Sequence, residues 1–341
     1  MFNFTVDILQ IRDSSFNIGF KMGKYVKDKP FLKTFESITK PEIDDKNMKA
    51  IYSTFAPHLL EEIDGLAEGL GISHRKAAAL FSGYDMPKAE ALGCSAMMTK
   101  KYYVRNYDFS PDLYDGLFSL IQPDTSFATA GYNLQILGRH DGVNQEGLVA
   151  GLHFVSNHGY KKGLSAWTAV RIVLDSCATT SEAVNLLKEI PHAACYNFSL
   201  GDKNGDMAVV EASPDKVIVR RGVSALSCVN HFQSEQLKNK NRSSIEHSVK
   251  RHHYLEKLKD EEHSYVEIFE NFKSIYSPLF FTDYDDLFGT LHTFSYSYHE
   301  ARILTAIARG EQVLDINFQD WVDGENMDMD ILEGIIEEIH K

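Results

Sequence analysis

The spacing of apolar residues changes at Cys94, and this change limits what the chain can fold into. Before Cys94, the segment from Met48 to Leu70 is predicted to be helical, because apolar residues recur at helical intervals. These residues are Ile51, Phe55, Leu59, Ile63, Leu66 and Leu70. A second helix is predicted from Ser73, a suitable N-cap, to Leu80. With a short strand from Phe4 to Ile11 ahead of them, residues 1–93 are predicted to form a mostly helical segment.

After Cys94 the pattern is typical of strands interrupted by two helices. The helices are predicted from Ser165 to Cys177 and from Ala183 to Ile190. Asn204-Gly205 between two apolar runs indicates a hairpin within a strand meander. The last segment, Met327 to His340, is predicted to be an amphipathic helix, since Met329, Leu332, Ile335, Ile336 and Ile339 follow helical spacing. This order favours an α+β sandwich over alternating βαβ units.

The residues around Lys100-Lys101 predict a two-residue hairpin that brings polar side chains to Cys94. In that register Cys94 faces Tyr107, and Arg105 is a diagonal neighbour on the same face at roughly 7 Å. Asp108 then lies beside the backbone nitrogen of Cys94. A guanidinium close to the thiol favours the thiolate, and a carboxylate close to the nitrogen can orient a free amine there.

Gly93-Cys94 is a sequence at which a thiol can attack the carbonyl that precedes it. Glycine has no Cβ to block the approach, and it tolerates a strained backbone. Cleavage there would divide the chain into residues 1–93 and 94–341. Cys94 would then carry both a nucleophile and an α-amine base. The alternative is that Cys94 is a small buried apolar residue and that Arg105 and Asp108 form an ordinary strand ion pair.

Composition argues against several classes of partner. The net charge of −13 argues against nucleic acid and against an anionic membrane surface. No apolar run is long enough for a membrane span, and the polar start of the sequence does not resemble a signal peptide. The four cysteines are far apart, which favours free thiols in a cytoplasmic protein. The fourteen histidines include no zinc-binding spacing, so neither a metal nor a cofactor is expected.

Several motifs occur in the order found in a known family, with nearly end-to-end coverage. Gly93-Cys94-Ser95 resembles a self-cleavage site, and Arg105-Asn106-Tyr107-Asp108 matches an Arg-Asn-aromatic-Asp motif. Asn144-Gln145-Glu146-Gly147-Leu148, Gly151-Leu152-His153-Phe154 and Val229-Asn230-His231-Phe232 are similar to later motifs. The chain therefore resembles the acyl-coenzyme A:6-aminopenicillanic acid acyltransferase-like family, which is related to the choloylglycine hydrolases among the N-terminal nucleophile hydrolases.

The resemblance implies a fold and a set of site residues. The fold is a four-layer αββα sandwich with a helical N-terminal pro-segment, residues 1–93, and a catalytic domain, residues 94–341. Cys94 would be the nucleophile, assisted by Arg105 and Asp108, with Asn230 donating to the oxyanion and Arg251 supporting the site. His153 stands where the bile-salt hydrolase branch has an asparagine that helps to bind oxyanion and substrate, and Asn144 is placed with it in that role.

The sequence leaves three functions open. The first is hydrolysis or transfer of the acyl group of a linear amide through a Cys94 thioester, with hydrophobic acyl groups preferred. The second is transfer from a thioester such as an acyl-coenzyme A to an amine. The third is a non-catalytic binding protein on the same scaffold. The expected partner is a small-molecule acyl amide or acyl thioester, and either a monomer or a homo-oligomer is compatible with the sequence.

Overall fold

Two stacked β-sheets form the centre of the computed structural model, which describes residues 2–86, 93–284 and 288–336. Its strands are β1 (Phe2–Asp13), β2 (Gly93–Thr99), β3 (Tyr102–Phe109), β4 (Leu117–Pro123), β5 (Thr129–Leu134), β6 (Gly138–Asn144), β7 (Val149–Ser156), β8 (Cys195–Gly201), β9 (Met207–Ala212), β10 (Val217–Arg221), β11 (Ala225–Cys228), β12 (Thr282–Asp283), β13 (Phe288–Ser297), β14 (Arg302–Ile307), β15 (Leu314–Asn317) and β16 (Ile331–Ile336). Its helices are α1 (Ser15–Val26), α2 (Phe31–Ile38), α3 (Asp45–Phe55), α4 (His58–Leu70), α5 (His74–Phe81), α6 (Ala166–Ser176), α7 (Thr180–Glu189), α8 (Glu246–Lys259), α9 (Tyr265–Lys273) and α10 (Phe318–Val322).

Neighbouring strands are mostly consecutive in the sequence in the first sheet, whereas the second sheet joins strands from three separate parts of the sequence. In the described part of the chain, one sheet has the order β10-β9-β8-β7-β6-β5-β4-β1-β16 and the other β11-β2-β3-β13-β14-β15, with β12 paired to β13. Most neighbours are antiparallel, and β1 with β4 is a parallel pair. Side chains of the two sheets meet in the middle, where Tyr103 of β3 hydrogen-bonds Ser199 of β8 at 2.8 Å.

Helices cover both outer faces of the stacked sheets. Helices α6 and α7 pack on the first sheet, against β5 to β9, whereas α8 and α9 pack on the second, against β2, β3, β11 and β13. Ser165 and Thr179 cap the starts of α6 and α7, as hydroxyl acceptors commonly do. The layer order is therefore αββα, which confirms the predicted fold class. Among the described residues, no helix is both long enough and apolar enough to cross a membrane.

Strand β1 ties residues 1–93 to the rest of the molecule. It lies inside the first sheet, parallel to β4 and antiparallel to β16. Helices α1 and α4 of the same segment cross very closely, since a Cβ on Gly65 would lie 1.9 Å from the carbonyl oxygen of Phe16. Gly65 is thus a contact residue inside α4, and Gly71 alone ends the helix in the left-handed region, with φ of 73°.

Two of the predicted elements are wrong. The segment from Met48 to Leu70 is two helices, α3 and α4, because Ala56 precedes Pro57 and leaves the helical region with ψ of 65°. The predicted helix from Met327 to His340 contains strand β16, which pairs with β1. Leu332 and Ile336 are buried there and Ile335 is exposed, the alternation of a strand. Residues 337–340 of that prediction lie outside the described residues.

Candidate active site

Cys94 lies on β2 with its side chain fully buried between the two sheets. The hairpin has the predicted register, with Cys94 opposite Tyr107 and Gly93 opposite Asp108. The register follows from the short connection at Lys100-Lys101, because a one-residue slip would turn every inward side chain outward. The hairpin therefore directs Cys94 into the space between the sheets.

The thiol of Cys94 receives a hydrogen bond from Arg105, as the diagonal placement predicts. Arg105 Nη2 lies 3.1 Å from Sγ of Cys94 and also donates to the carbonyl of Leu152 at 2.5 Å. Its Nη1 makes a buried ion pair with Asp141. This network fixes a full positive charge beside the sulfur, since Cys94 and Asp141 raise the pKa of Arg105 although burial alone would lower it.

Burial nevertheless decides the protonation state of the thiol. It raises the pKa of Cys94, and the nearby Arg105 and Arg251 only partly oppose this effect. The protonated thiol of the buried Cys94 is therefore favoured over the thiolate that the sequence predicted. A base within reach of Sγ is needed before the sulfur can act as a nucleophile.

The backbone nitrogen of Cys94 is held by Asn230. It donates to Oδ1 of Asn230 at 2.6 Å, and Arg251 Nη2 donates to the same oxygen at 2.9 Å. Because both of these groups are donors, the atom of the Asn230 amide that faces them must be its oxygen. Nδ2 of Asn230 donates to the carbonyl of Phe154 at 2.9 Å, and a hydrogen bond from this side chain is among the influences that oppose the raised pKa of the Cys94 thiol.

Arg251 reaches the site from helix α8. Its Nη1 donates to the carbonyl oxygen of Cys94 and, at 3.0 Å, to the hydroxyl of Ser95. The same nitrogen lies 3.9 Å from Oδ2 of Asp108. Arg251 thus links Cys94, Asn230 and Asp108 into one group, an arrangement that the sequence indicated only by resemblance.

Asp108 lies against Gly93. Its Oδ1 accepts from the hydroxyl of Thr290 at 2.8 Å, and its buried Oδ2 has no hydrogen-bond partner among the described residues. Burial raises its pKa, with Arg251 and Thr290 opposing. The Cys94 nitrogen donates its hydrogen bond to Asn230 and not to Asp108. Oδ2 of Asp108 is nevertheless close to the backbone of Gly93, since a Cβ on Gly93 would lie 2.9 Å from Oδ2.

Packing around Gly93 explains why a glycine precedes Cys94. A Cβ at Gly93 would lie 2.5 Å from the ring of Phe288. Gly93 is in strand β2 and does not adopt a positive φ. The absent Cβ is what the structure requires at Gly93, and the strained backbone considered from the sequence is not observed.

His153 and Asn144 differ in their relation to this group. His153 is fully buried, with Nε2 2.9 Å from the Ser199 hydroxyl; burial lowers its pKa, and a hydrogen bond with the Cys94 backbone opposes that effect. Asn144 donates to the carbonyls of Leu174 and Cys177 and accepts from the nitrogens of Glu146 and Leu148. Its amide closes the turn after β6 on α6, and the structure does not bring it to Cys94.

Asp141 and His292 belong to the site although no sequence pattern indicated them. Asp141 precedes Gly142, and Asp-Gly is a common turn sequence, yet Asp141 lies in β6 and accepts from His292 Nε2 at 2.9 Å. Although burial opposes the effect, His292 and Arg105 lower its pKa to about 2. Asp141 therefore supplies the negative charge that keeps Arg105 in place.

In the described structure the cysteines form no disulfide, and the His, Cys, Asp and Glu side chains form no metal centre. In residues 2–86, 93–284 and 288–336, no group of three or more His, Cys, Asp or Glu side chains could hold a metal ion. The four cysteines, Cys94, Cys177, Cys195 and Cys228, are all free, as the sequence predicted.

Comparison with known proteins gives a family and several similar structures. The sequence model of the family described as acyl-coenzyme A:6-aminopenicillanic acid acyl-transferase matches residues 97–312. Penicillin V acylase from Agrobacterium tumefaciens is 16% identical, with 66% of this chain and 85% of that one covered and a TM-score of 0.43. A mutant conjugated bile acid hydrolase from Clostridium perfringens is 15% identical, with 72% and 97% covered and a TM-score of 0.47. Curated protein sequences gave no significant match.

Proposed function

Because the chain belongs to the acyl-coenzyme A:6-aminopenicillanic acid acyl-transferase family, we propose that it is a self-processing N-terminal nucleophile enzyme. It cleaves its own chain before Cys94 and then hydrolyses or transfers the acyl group of linear amides through a Cys94 thioester. One observation carries the proposal: both reactive groups of Cys94 are held by buried polar side chains, the sulfur by Arg105 and the nitrogen by Asn230. A cysteine that served only as a small apolar residue would need neither.

Self-cleavage begins with attack of the Cys94 sulfur on the carbonyl carbon of Gly93. The C–S bond forms, the C–N bond to Cys94 breaks, and the nitrogen takes up the thiol proton. Water then hydrolyses the resulting thioester, which leaves a carboxyl group on Gly93 and a free thiol and α-amine on Cys94. Arg251, bound to the Cys94 carbonyl, keeps the residue in place throughout.

Substrate turnover uses the α-amine so released. The amine accepts the thiol proton while sulfur attacks the amide carbonyl, which overcomes the raised pKa that burial gives the Cys94 thiol. Asn230 Nδ2 stabilises the oxyanion with the hydrogen that it does not donate to Phe154. Oδ2 of Asp108, which has no hydrogen-bond partner among the described residues, accepts from the new amine and orients it. The leaving amine departs with a proton, and water or a second amine removes the acyl group.

A thioester donor is a second candidate, favoured by the acyl-coenzyme A named in the family description. The same Cys94 thioester would form by exchange with the donor and pass to an amine. Rates on one panel of amides and matching acyl-coenzyme A thioesters, each with and without an acceptor amine, distinguish hydrolysis from transfer. In either case the partner is a small molecule, the chemistry needs no added cofactor, and the four free cysteines support a cytoplasmic location.

The mass of the purified protein tests the proposal. Wild-type protein should give two pieces, residues 1–93 and 94–341, with a new N-terminus at Cys94. Cys94→Ala should stay undivided and inactive, because the thiol must both attack and leave, and Cys94→Ser should cleave slowly. Cys228→Ala is the matched control: this buried thiol lies on β11 opposite Ala96, and its loss should leave cleavage intact.

An undivided wild-type protein that is fully active would contradict self-cleavage and leave Cys94 as a reactive cysteine served by another base. The binding-protein alternative would be favoured by an undivided protein with two properties. Its native Cys94 does not react with alkylating agents, and it turns over neither amides nor thioesters.

A further inference from the structure

A group of buried polar rings fills the space between the sheets next to Cys94. Tyr107 is the cross-strand partner of Cys94, and its ring lies 4.0 Å from that of His140 on β6. The ring of His292 on β13 stacks on Tyr107 at 5.3 Å, and Tyr114 lies 5.3 Å from His140. None of these four side chains is more than 5% exposed. They form an enclosed polar-aromatic cluster to which both sheets contribute.

Both sheets interrupt their regular pairing at this polar-aromatic cluster. Asp141 and Arg139 pair with consecutive residues of β5, which leaves His140 as an extra residue in β6. A second irregularity lies in β13 immediately before His292. Bulges re-aim side chains and are frequent beside active sites. Here the bulge in β6 lets His140 and Asp141, which are consecutive in sequence, both reach the second sheet.

The hydrogen bonds of the cluster are incomplete. The Tyr114 hydroxyl donates to Nδ1 of His292 at 2.6 Å, and Nε2 of His292 donates to Oδ2 of Asp141 at 2.9 Å. In the described structure, the hydroxyl of Tyr107, both ring nitrogens of His140 and Oδ1 of Asp141 are buried and have no hydrogen-bond partner. Buried polar atoms in proteins are nearly always partnered, so these atoms indicate a site for a polar group.

We propose that the Tyr107 hydroxyl, one ring nitrogen of His140 and Oδ1 of Asp141 form a subsite for an uncharged hydrogen-bonding group of the substrate, a hydroxyl or a primary carboxamide. The inference rests on the proposed function, in which the scissile carbonyl binds at Cys94. Partners on adjacent strands have Cα atoms about 5 Å apart. The recognised group therefore lies within a few bonds of the scissile amide.

The charges around the subsite exclude an ionic group. Arg105 pairs with Asp141 and lies 5.3 Å from the centre of the Tyr107 ring, so a cation would face a guanidinium and an anion a carboxylate. Burial keeps His140 neutral by lowering its pKa, which leaves one ring nitrogen as donor and one as acceptor. A hydroxyl or carboxamide can both donate and accept, so it can pair with the ring nitrogen that faces it, whereas a methyl group can do neither.

Two matched pairs of amides test the subsite with the processed wild-type enzyme. The acyl-side pair is the anilides of 4-hydroxybutanoic and pentanoic acid. The amine-side pair is N-(3-hydroxypropyl)hexanamide and N-butylhexanamide. Within each pair a hydroxyl replaces a methyl group of similar size. We expect kcat/KM to be about tenfold higher for the hydroxylated member of one pair. The pair that shows this preference tells whether the subsite binds the acyl side or the amine side of the amide.

Tyr107→Phe should reduce that preference to about one, because it removes the hydroxyl and keeps the ring. Tyr132→Phe is the matched control. The Tyr132 ring stacks on His292 at 3.7 Å, but its hydroxyl is already bonded to Thr305 at 2.6 Å, so the preference should remain. The two variants should also differ in thermal stability, with Tyr132→Phe lowering Tm and Tyr107→Phe leaving it unchanged or higher.

Three results would overturn the subsite while the proposed function stands: equal rates within both pairs, a preference for the methyl members, or a preference that survives Tyr107→Phe. The first of these would mean that only water occupies the cluster. If no amide is turned over, the proposed function fails and the four compounds are unreacted ligands. A larger thermal shift from the hydroxylated member of a pair, lost in Tyr107→Phe, would then support the subsite, and equal shifts would overturn it.

Discussion

Asn230 bonds with three different groups, and this determines what its loss should do. Oδ1 accepts from the Cys94 nitrogen and from Arg251, and Nδ2, which donates to the carbonyl of Phe154, would also donate to the oxyanion in the proposed reaction. Asn230→Ala should reduce kcat about 10²- to 10³-fold, the usual effect of losing one oxyanion donor, while the fold is retained. Steady-state kinetics and far-UV circular dichroism of the same preparation measure the two effects.

Asn106→Ala is the matched control for Asn230→Ala. Asn106 is equally buried in the hairpin, but its Nδ2 donates to the carbonyls of Phe272 and Leu279 on the helical side of the sheet. Its loss should lower stability and leave kcat per folded molecule near wild type. Wild-type kcat in Asn230→Ala would remove Asn230 from the proposed site.

The site residues differ in how far the sequence could predict them. A two-residue turn fixes the hairpin register, so the placement of Arg105 followed from counting residues. Asn230 and Arg251 lie 136 and 157 positions from Cys94, and only the family resemblance connected them to it. Asp141 and His140 escaped prediction because a bulge breaks the alternation on which strand patterns depend.

Among the elements, the connection between β5 and β6 is strained, and one buried carboxylate accepts from both of its strained residues. Gln135 and Ile136 both have positive φ, at 52° and 64°, which is uncommon for residues with a Cβ. Asp115 accepts from their nitrogens at 3.0 and 2.6 Å. Burial, partly opposed by these hydrogen bonds, raises the pKa of Asp115 to about 7.

This raised pKa predicts a pH dependence with a definite sign. The folded state favours protonated Asp115, so its contribution to stability is complete below about pH 4 and is lost as pH rises through about 7. The upper limit is about 4 kcal/mol for a shift of this size. Asp115→Asn does not titrate, so the difference in unfolding free energy should move in the variant's favour between pH 4.5 and 7.5. A difference independent of pH, measured by urea denaturation, would contradict the prediction.

The two mispredicted elements show where apolar patterns are ambiguous. Apolar residues around 329–339 fit a helix by spacing, yet Leu332, Gly334 and Ile336 face inward by alternation. A Cβ on Gly334 would lie 2.6 Å from the carbonyl oxygen of Ile307, so the strand needs a glycine there. The segment forms a strand because it pairs with the edge of β1, and no local pattern in its sequence indicates that pairing. The break at Pro57, in contrast, was visible in the sequence.

At the scale of the whole molecule, residues 1–93 and 94–341 share a buried ion network. Glu62 on α4 accepts from Arg171 Nη2 on α6 at 2.6 Å, and Arg171 Nε lies 2.8 Å from Asp175. His58 reaches the same Asp175 from α4 at 2.8 Å. These contacts and the position of β1 inside the sheet join the two segments without the Gly93–Cys94 bond.

The two pieces of processed protein should therefore elute together in native size-exclusion chromatography and separate only in denaturant. Glu62→Ala should lower the unfolding free energy by about 3–5 kcal/mol, because it breaks a buried ion pair and leaves Arg171 with one carboxylate fewer. Glu62→Gln, which retains the shape and one acceptor, should lower it less. Separation of the wild-type pieces in native buffer would show that the ion network and β1 do not hold them.

The position of β1 also bears on when cleavage can happen during synthesis. Phe2 pairs with Ile336, and the group around Cys94 needs Arg251 and Thr290 from the later part of the chain. A nascent chain that stops short of these residues has the Gly93–Cys94 bond but lacks the side chains that position it. Under the proposed self-cleavage, the ribosome delivers the Gly93–Cys94 bond long before the side chains that would activate it, and a prematurely terminated chain should remain uncut. Completeness of translation would then be the condition for activation.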